Sequence, residues 1–441
     1  MIFPFGERVP VLILGGGLAG LSAAYHLGPI RNLVVEKENE VGGTARSISI
    51  KGFTFDFTGH LLHLHTAYTK KLITTLLRGH FFECQRNTAI HSYNTTTLYP
   101  FQANTYGLPD FIIDECLLGF LETYLKQSQH KIDHQKLNFR DWCYNIFGEG
   151  ISKHFMIPYN EKLFQTSTKS LTVDWCGPFV PRPLLEDVIR GALKPQEKKF
   201  GYNATFLYPK KGGIQALALA LAHKIPQSQT NTEVEEINWK KKSARLSGGQ
   251  TIQYEHLINT IPLPELLNRM ADLPKGIKEQ KKKLKFASIL CLNLGVNRPR
   301  ISERSWVYFP EKKYPFYRVG FPMNFTPHVV PKGCSSMYVE IPWAFVKGKS
   351  QKSILSAVRR GLIEARILKA HDTFRVAQFL PIKYAYVIYD RHRNIALDQI
   401  FSFLSNQDIQ SIGRYGAWKY SFMEEAILDG KKAADNIPRP R

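Results

Sequence analysis

The chain has 441 residues, 44% hydrophobic and 22% charged, and its Lys plus Arg exceed its Asp plus Glu by 59 minus 37, a formal net charge of +22. That length predicts two or three domains rather than one simple core, and the composition excludes a disordered or fibrous chain. The charge favours an anionic substrate or peripheral contact with an acidic membrane face; nucleic acid is not expected, because no binding motif accompanies it.

Residues 9–14 form an apolar strand that runs into Gly15, Gly17 and Gly20 and then into a helical stretch at 21–27. This is the spacing of a dinucleotide-binding turn. Gly15 permits the tight turn, Gly17 lets the backbone approach a pyrophosphate, and Gly20 lets helix and strand pack closely, so that phosphates meet the positive end of the helix. The window 9–27 has about the length of a membrane span, but its glycines read as strand and helix. No signal peptide is expected, and cytoplasm is the expected compartment. Glu36 stands sixteen residues after Gly20, at the end of a second apolar strand, 32–35. A carboxylate there accepts ribose hydroxyls and repels a 2′-phosphate, which points to FAD or NAD rather than NADP.

Alternating residues at 47–50, a Lys51-Gly52 turn and residues 53–57 read as a hairpin ending in Thr58-Gly59-His60, and residues 93–98 read as another with an Asn-Thr-Thr-Thr tip. Helical periodicity takes over from 108 to about 201. Tyr208 to Gly213 then opens a helix through Ala222, followed by short strands at 232–239, 244–246, 251–254 and 257–260. Strands rich in Tyr, Phe and Val dominate 288–346 and 376–388 around a helix at 353–370, and a last helix spans 423–436. The lysine runs 240–242 and 281–283 read as solvated faces or turns. The six cysteines are scattered without a CxxC pair, so no metal site is expected and most read as buried thiols.

The run from Glu36 through Gly42-Gly43-Thr44-Ala45-Arg46 resembles the extended fingerprint of glutathione-reductase and amine-oxidase flavoproteins, in which a second glycine turn cradles the FAD pyrophosphate. The resemblance implies FAD and an α/β architecture. A Rossmann-like FAD-binding domain of the glutathione-reductase class would take residues 1–64, 202–287 and 391–441. An inserted helical domain would take 108–201, and an antiparallel β substrate domain 288–390 with one helix, joined by a hairpin segment at 65–107. In this class the backbone at the position of Val234 meets the adenine, and the C-terminal helix docks on the flavin.

Several separated stretches together resemble the UDP-galactopyranose mutases. Gly52-Phe-Thr-Phe-Asp56-Phe-Thr-Gly59-His60 is similar to their histidine loop beside the flavin, and Tyr99-Pro-Phe101-Gln102 to the segment that holds uracil. Phe155-Met-Ile-Pro158-Tyr159-Asn160-Glu-Lys162 is similar to a helical-domain motif whose leading Phe stacks on the base, and Gly201-Tyr-Asn203 to a segment whose Asn reaches the substrate. Trp306-Val-Tyr308, Pro315-Phe-Tyr-Arg318, Ala385-Tyr386 and Gly413-Arg414-Tyr-Gly-Ala-Trp418-Lys419-Tyr420 complete the set. The resemblance implies an enzyme that interconverts the pyranose and furanose forms of a nucleotide sugar, expected to be UDP-linked, through a reduced-flavin N5 sugar adduct. A reductant such as NAD(P)H would keep the FAD reduced. Arg318, Tyr308, Tyr386 and Tyr420 would pin the diphosphate while His60 shapes the flavin environment. Gly59 and Arg414 would join the cofactor set, and Tyr99, Phe101, Gln102, Phe155, Asn160, Arg182 and Asn203 the substrate set. These residue types suit such roles, since guanidinium and phenol hold phosphate and aromatic rings offer faces to a base.

The chain departs from that family at three places. Its second diphosphate arginine falls near Phe179, with Arg182 three positions on; a tryptophan is replaced by Phe164; and Met423-Glu424-Glu425-Ala426 replaces an Asn-Gln-Asp-His run at the flavin. Two other readings stay open. One is an FAD-dependent oxidoreductase of the amine-oxidase or protoporphyrinogen-oxidase type, taking a hydride from an amine or ring carbon. The other is a noncatalytic membrane-surface protein that keeps FAD as a structural ligand.

Overall fold

The computed structural model describes residues 8–438, apart from 130–132, 134, 135, 178, 197, 199, 202, 203 and 226. Strand Arg8–Leu14 lies inside a seven-stranded sheet, parallel to Thr251–Asn259 on one side and Asn32–Val35 on the other. Val11 and Ile13 point to one face, against Ala23, Leu27 and Ala433 of the first and last helices. Leu12 and Leu14 point to the other, among Leu33, Val35 and Leu257. A strand covered on both faces has to be apolar throughout, which is why the first segment reads as an unbroken hydrophobic run. Beyond it come Ser228–Gln229 at one edge and the hairpin Val234–Asn238 with Ser243–Leu246 at the other; Ile409–Ser411 pairs with the end of Thr251–Asn259. The two short strands expected at 251–254 and 257–260 are one, because the polar Glu255 and His256 interrupt the hydrophobic pattern but not the backbone pairing.

A second seven-stranded sheet runs in the order Phe374–Val387, Phe286–Val296, Ser335–Pro342, Arg318–Gly320, Trp306–Tyr308, Thr88–Ser92 and Thr95–Leu98. All its pairings are antiparallel except Trp306–Tyr308 against Thr88–Ser92. The expected Asn-Thr-Thr-Thr tip is corrected here. The turn is Tyr93-Asn94, both residues at positive φ (52° and 57°), and the threonines lie on the returning strand. A two-residue turn with both residues left-handed matches strand twist and needs no longer loop.

Helices Asp110–Gln129, Phe139–Ile151, Ile157–Phe164 and Leu185–Leu193 stand between the hairpin and the return to the first sheet. The helices that escaped the sequence reading include Ala67–Leu77, Leu263–Arg269, Lys275–Lys281 and Arg393–Ser405. The first is rich in threonine, a poor helix former, and is set by Thr66, whose side chain accepts the Thr69 N–H at 3.1 Å as an N-cap. Among the described residues no helix is long and apolar enough to cross a membrane. All six cysteines are free thiols, and no group of His, Cys, Asp and Glu among the described residues could hold a metal ion.

Candidate active site

The cofactor end is built by two glycine turns that touch. Gly17 caps helix Leu18–Leu27 with no side chain, leaving the first helical N–H groups facing outward. The Gly42 N–H donates to the Gly16 carbonyl at 2.7 Å, bringing Gly43 under Gly17. A Cβ on Gly43, where φ is +58°, would stand 3.2 Å from the Gly17 Cα. Helix N–H groups above a floor without side chains are suited to a pyrophosphate. Glu36 is buried beside them. Its Oε2 accepts the Gly16 N–H at 2.8 Å and its Oε1 the Glu38 N–H at 3.0 Å, so both carboxylate oxygens are oriented with acceptor capacity to spare for a ribose. Arg46 holds the second turn, donating to the Gly43 carbonyl at 3.1 Å while its guanidinium lies 4.8 Å over the Phe57 ring. Val234 is buried at the sheet edge, and its carbonyl accepts from Arg269 Nε at 2.7 Å.

The substrate end is a row across the second sheet. Tyr308 pairs with Arg318 and Arg318 with Glu340, so the three side chains share one face of three adjacent strands. Arg318 donates to both Glu340 oxygens, from Nε at 3.0 Å and Nη2 at 2.5 Å, and Glu340 is 0% exposed. Burial works against the Arg318 charge, but Glu340 outweighs it and holds the guanidinium protonated well above its ordinary range. Tyr338, two residues before Glu340, stands in a slot between Gly59 and Gly320: a Cβ on either would come within 2.3 Å of its ring or hydroxyl. Gly59 is thus required for the His60 segment to approach this sheet.

Around the row, Tyr99 and Tyr159 meet Tyr308 at ring distances of 5.7 and 5.2 Å, and Tyr386 and Tyr420 face each other at 6.2 Å. Burial raises the hydroxyl pKa of Tyr99, Tyr386 and Tyr420, so each keeps its proton and can donate. Arg414 lies 4.6 Å over Tyr420 and donates to the carbonyls of Ser421 and Ala385 at 2.9 and 3.1 Å. His60 has a long contact of 3.4 Å to the Thr58 hydroxyl. Burial, then the charges of Arg414 and Arg318, lower its pKa to about 4, so the imidazole is neutral at physiological pH.

Other residues of the expected substrate set take different positions. Phe155 stacks between Phe101 and Tyr159, at 5.1 and 5.3 Å and nearly parallel, and all three rings are buried. The expectation of open ring faces for a base is therefore corrected: the rings cover one another. The neighbouring His154 fixes this stack from a π-turn, Ser152–Met156, bonded to the Tyr93 hydroxyl at 2.6 Å and to Glu115 at 2.8 Å. Gln102 donates to the Pro181 carbonyl and Asn160 to the Met156 carbonyl. Arg182 does not join the tyrosine and arginine cluster, because its guanidinium rests 5.0 Å over Trp142 among the helices. Phe179 does join it, edge-on to Tyr420 at 4.4 Å. Asn203 lies outside the described residues. The sequence reading missed Tyr159, Tyr338 and Glu340, as well as Tyr317, edge-on to Tyr386 at 6.5 Å, and Arg86, 4.5 Å over the Tyr99 ring; a lone acid in strand Ser335–Pro342 was the one available sign of Glu340.

The profile of the family described as flavin containing amine oxidoreductase matches residues 18–438. Among solved structures, a reduced UDP-galactopyranose mutase is similar at 26% identity with a TM-score of 0.90, covering 98% of this chain and 94% of that one. A candidate protoporphyrinogen oxidase from Exiguobacterium sp. 255-15 is similar at 14% identity and TM-score 0.71, and putrescine oxidase bound to putrescine at 16% and 0.66. Each of these two covers 98% of this chain and 99% of its own, and at such identity they show a shared fold.

Proposed function

The chain belongs to the family of flavin containing amine oxidoreductases, and on that footing we propose that it interconverts the pyranose and furanose forms of a nucleotide sugar, UDP-linked. It is a flavoenzyme whose cofactor is FAD, and the glycine cradle with Glu36 fits that group. What the reduced flavin supplies, when bound, is an electron-rich ring nitrogen able to act as a nucleophile.

The observation that carries the reading is the row Tyr308, Arg318 and Glu340 facing Tyr386, Tyr420 and His60, in a chain whose likeness to a reduced mutase spans nearly its whole length. Arg318 keeps three of its five N–H donors beyond the two given to Glu340, enough for one bidentate grip on a phosphate. The protonated phenols add neutral donors that hold an anion without fixing the sugar. A neutral His60 adds no charge to the cleft, and its lowered pKa makes it a weak base.

A second reading, an oxidoreductase acting on an amine or a ring carbon, draws on Phe179, which gives the Tyr420 side of the cleft an apolar wall. The test is incubation of dithionite-reduced, FAD-loaded protein with UDP-galactofuranose and UDP-galactopyranose under anaerobic conditions. Interconversion with reduced but not oxidised flavin is the expected result. Its absence with intact reduced flavin, together with amine-dependent flavin reduction, would sink the mutase reading in favour of the second.

A further inference from the structure

Tyr420 owes its place in the cleft to its backbone. Its ring faces Tyr386 at 6.2 Å with the Arg414 guanidinium 4.6 Å away, and two residues before it stands Trp418, at φ +51°. That left-handed conformation is costly for a bulky side chain and persists only where the surroundings enforce it. The Trp418 ring is 0% exposed, set against Tyr384 at 5.8 Å and Phe286 at 6.2 Å, so the segment is anchored in the core just before it reaches the cleft.

The enforcing group is Arg393, the first residue of helix Arg393–Ser405. Its Nε donates to the Trp418 carbonyl at 3.1 Å, its Nη2 donates to the same oxygen, and its Nη1 donates to Asn394 Oδ1 at 2.7 Å. The side chain is buried, and these partners are a carbonyl and an amide rather than a carboxylate. Burial pulls its pKa down, with Tyr389, Asp174 and Asp390 opposing. Burying a guanidinium on such partners costs more than a neutral donor would, and what it gains is a two-pronged grip on one oxygen.

The same guanidinium reaches Tyr420 by a second route. The Asp390 carbonyl accepts the Arg393 N–H at 3.1 Å, and the turn so closed lays the guanidinium carbon 4.0 Å over the Tyr389 ring. The Tyr389 hydroxyl accepts the Tyr420 N–H at 2.7 Å, and the Tyr389 carbonyl accepts the Thr172 N–H at 2.7 Å, so ring and main chain are both pinned. Arg393 thus holds the residue two positions before Tyr420 and the ring whose hydroxyl holds the Tyr420 amide.

We propose that Arg393 is a positioning residue of the cleft: by gripping the Trp418 carbonyl and the Tyr389 ring it sets where the Tyr420 hydroxyl stands. The proposal rests on the nucleotide-sugar reading above, in which that hydroxyl holds the diphosphate.

The experiment titrates UDP calorimetrically into FAD-loaded wild type, Arg393→Met, Arg393→Lys, Tyr420→Phe and the two double variants, with flavin content and Tm as checks of folding. Met fills the space without donors or charge, whereas Lys keeps the charge and a donor. Arg393→Met should weaken UDP by about tenfold and Arg393→Lys by less, and in the Tyr420→Phe background either change should cost less than about twofold, because the hydroxyl they act through is gone. Losses of the same size in both backgrounds would make Arg393 a general support of the fold and overturn the proposal, as would unchanged UDP affinity in Arg393→Met. If Arg393→Met does not retain FAD, Arg393→Gln, which keeps a neutral donor, takes its place in the same cycle. Hydrogen exchange at the Tyr420 amide reads the placement without nucleotide. Arg393→Met should speed it by about tenfold or more while the amides of strand Phe286–Val296 keep their rates, and unaltered exchange would refute the assignment. If exchange rises but even wild type binds no uridine nucleotide, the nucleotide-sugar reading fails and the positioning of Tyr420 stands.

Discussion

Glu424 opens the last helix, Met423–Asp435, and is 4% exposed. Its Oε1 accepts the N–H of His65 at 2.8 Å, the N–H of Thr66 at 2.9 Å and the Thr69 hydroxyl at 2.5 Å, and its Oε2 meets His65 Nδ1 at 2.8 Å. One carboxylate thereby caps helix Ala67–Leu77 and ties the end of the His60 segment to the C-terminal helix. Burial alone would raise its pKa, but the bonds from Thr66, Thr69 and His65 prevail and bring it from 4.5 down to about 2. That fall, at about 1.36 kcal/mol for each pH unit, makes the ionised form worth about 3 kcal/mol to the fold. Because the folded pKa is the lower one, this contribution is complete above the unfolded value of 4.5 and disappears as pH falls toward about 2. Glu424→Gln should therefore lose about 3 kcal/mol near pH 7, with the gap to wild type shrinking to less than half by about pH 3. Urea titrations of the FAD-loaded proteins, followed by tryptophan fluorescence at several pH values, measure it. A loss below about 1 kcal/mol near pH 7, or a gap that does not narrow in acid, would refute the reasoning.

Arg318→Ala should destabilise by about 3 to 5 kcal/mol, because it strands Glu340 at 0% exposure. Arg318→Met with Glu340→Gln should recover most of that stability in denaturation while UDP binding by calorimetry stays lost. The ring nitrogens of His60, held neutral by burial and by Arg414 and Arg318, should show constant NMR shifts between roughly pH 5.5 and 8; a midpoint near 6.5 would place the ring outside that environment. Glu36→Ala takes the acceptor from the Gly16 and Glu38 N–H groups and from any ribose. Protein purified with it should retain little FAD by absorbance, and full retention would remove Glu36 from the cofactor site.

The glycine cradle was legible because it is local: strand, turn, helix and acid lie within 46 residues, with Gly15, Gly42 and Gly43 at positive φ and Gly20 too close to the Gly15 carbonyl for a side chain. Motif order across the chain was enough to indicate the mutase-like family and FAD. Pairing was less legible. The Tyr93-Asn94 turn and the continuous strand Thr251–Asn259 depend on backbone geometry and hydrogen bonding that hydrophobic periodicity does not report.

Cofactor and family could be read from the linear chain, since they follow from short motifs whose chemistry is contained in a few neighbouring positions; at the cleft the motifs gave Tyr308 and Arg318 but not Tyr338 or Glu340. Which of those residues meet is a matter of three-dimensional packing. Folding pairs Arg318 with Glu340 across two strands, buries Phe101 and Phe155 in each other's faces, sends Arg182 to Trp142 and brings Arg86 to Tyr99. Each of these outcomes turns on sheet register or on competition for a ring face between segments tens or hundreds of residues apart, and neither is encoded at the position it affects.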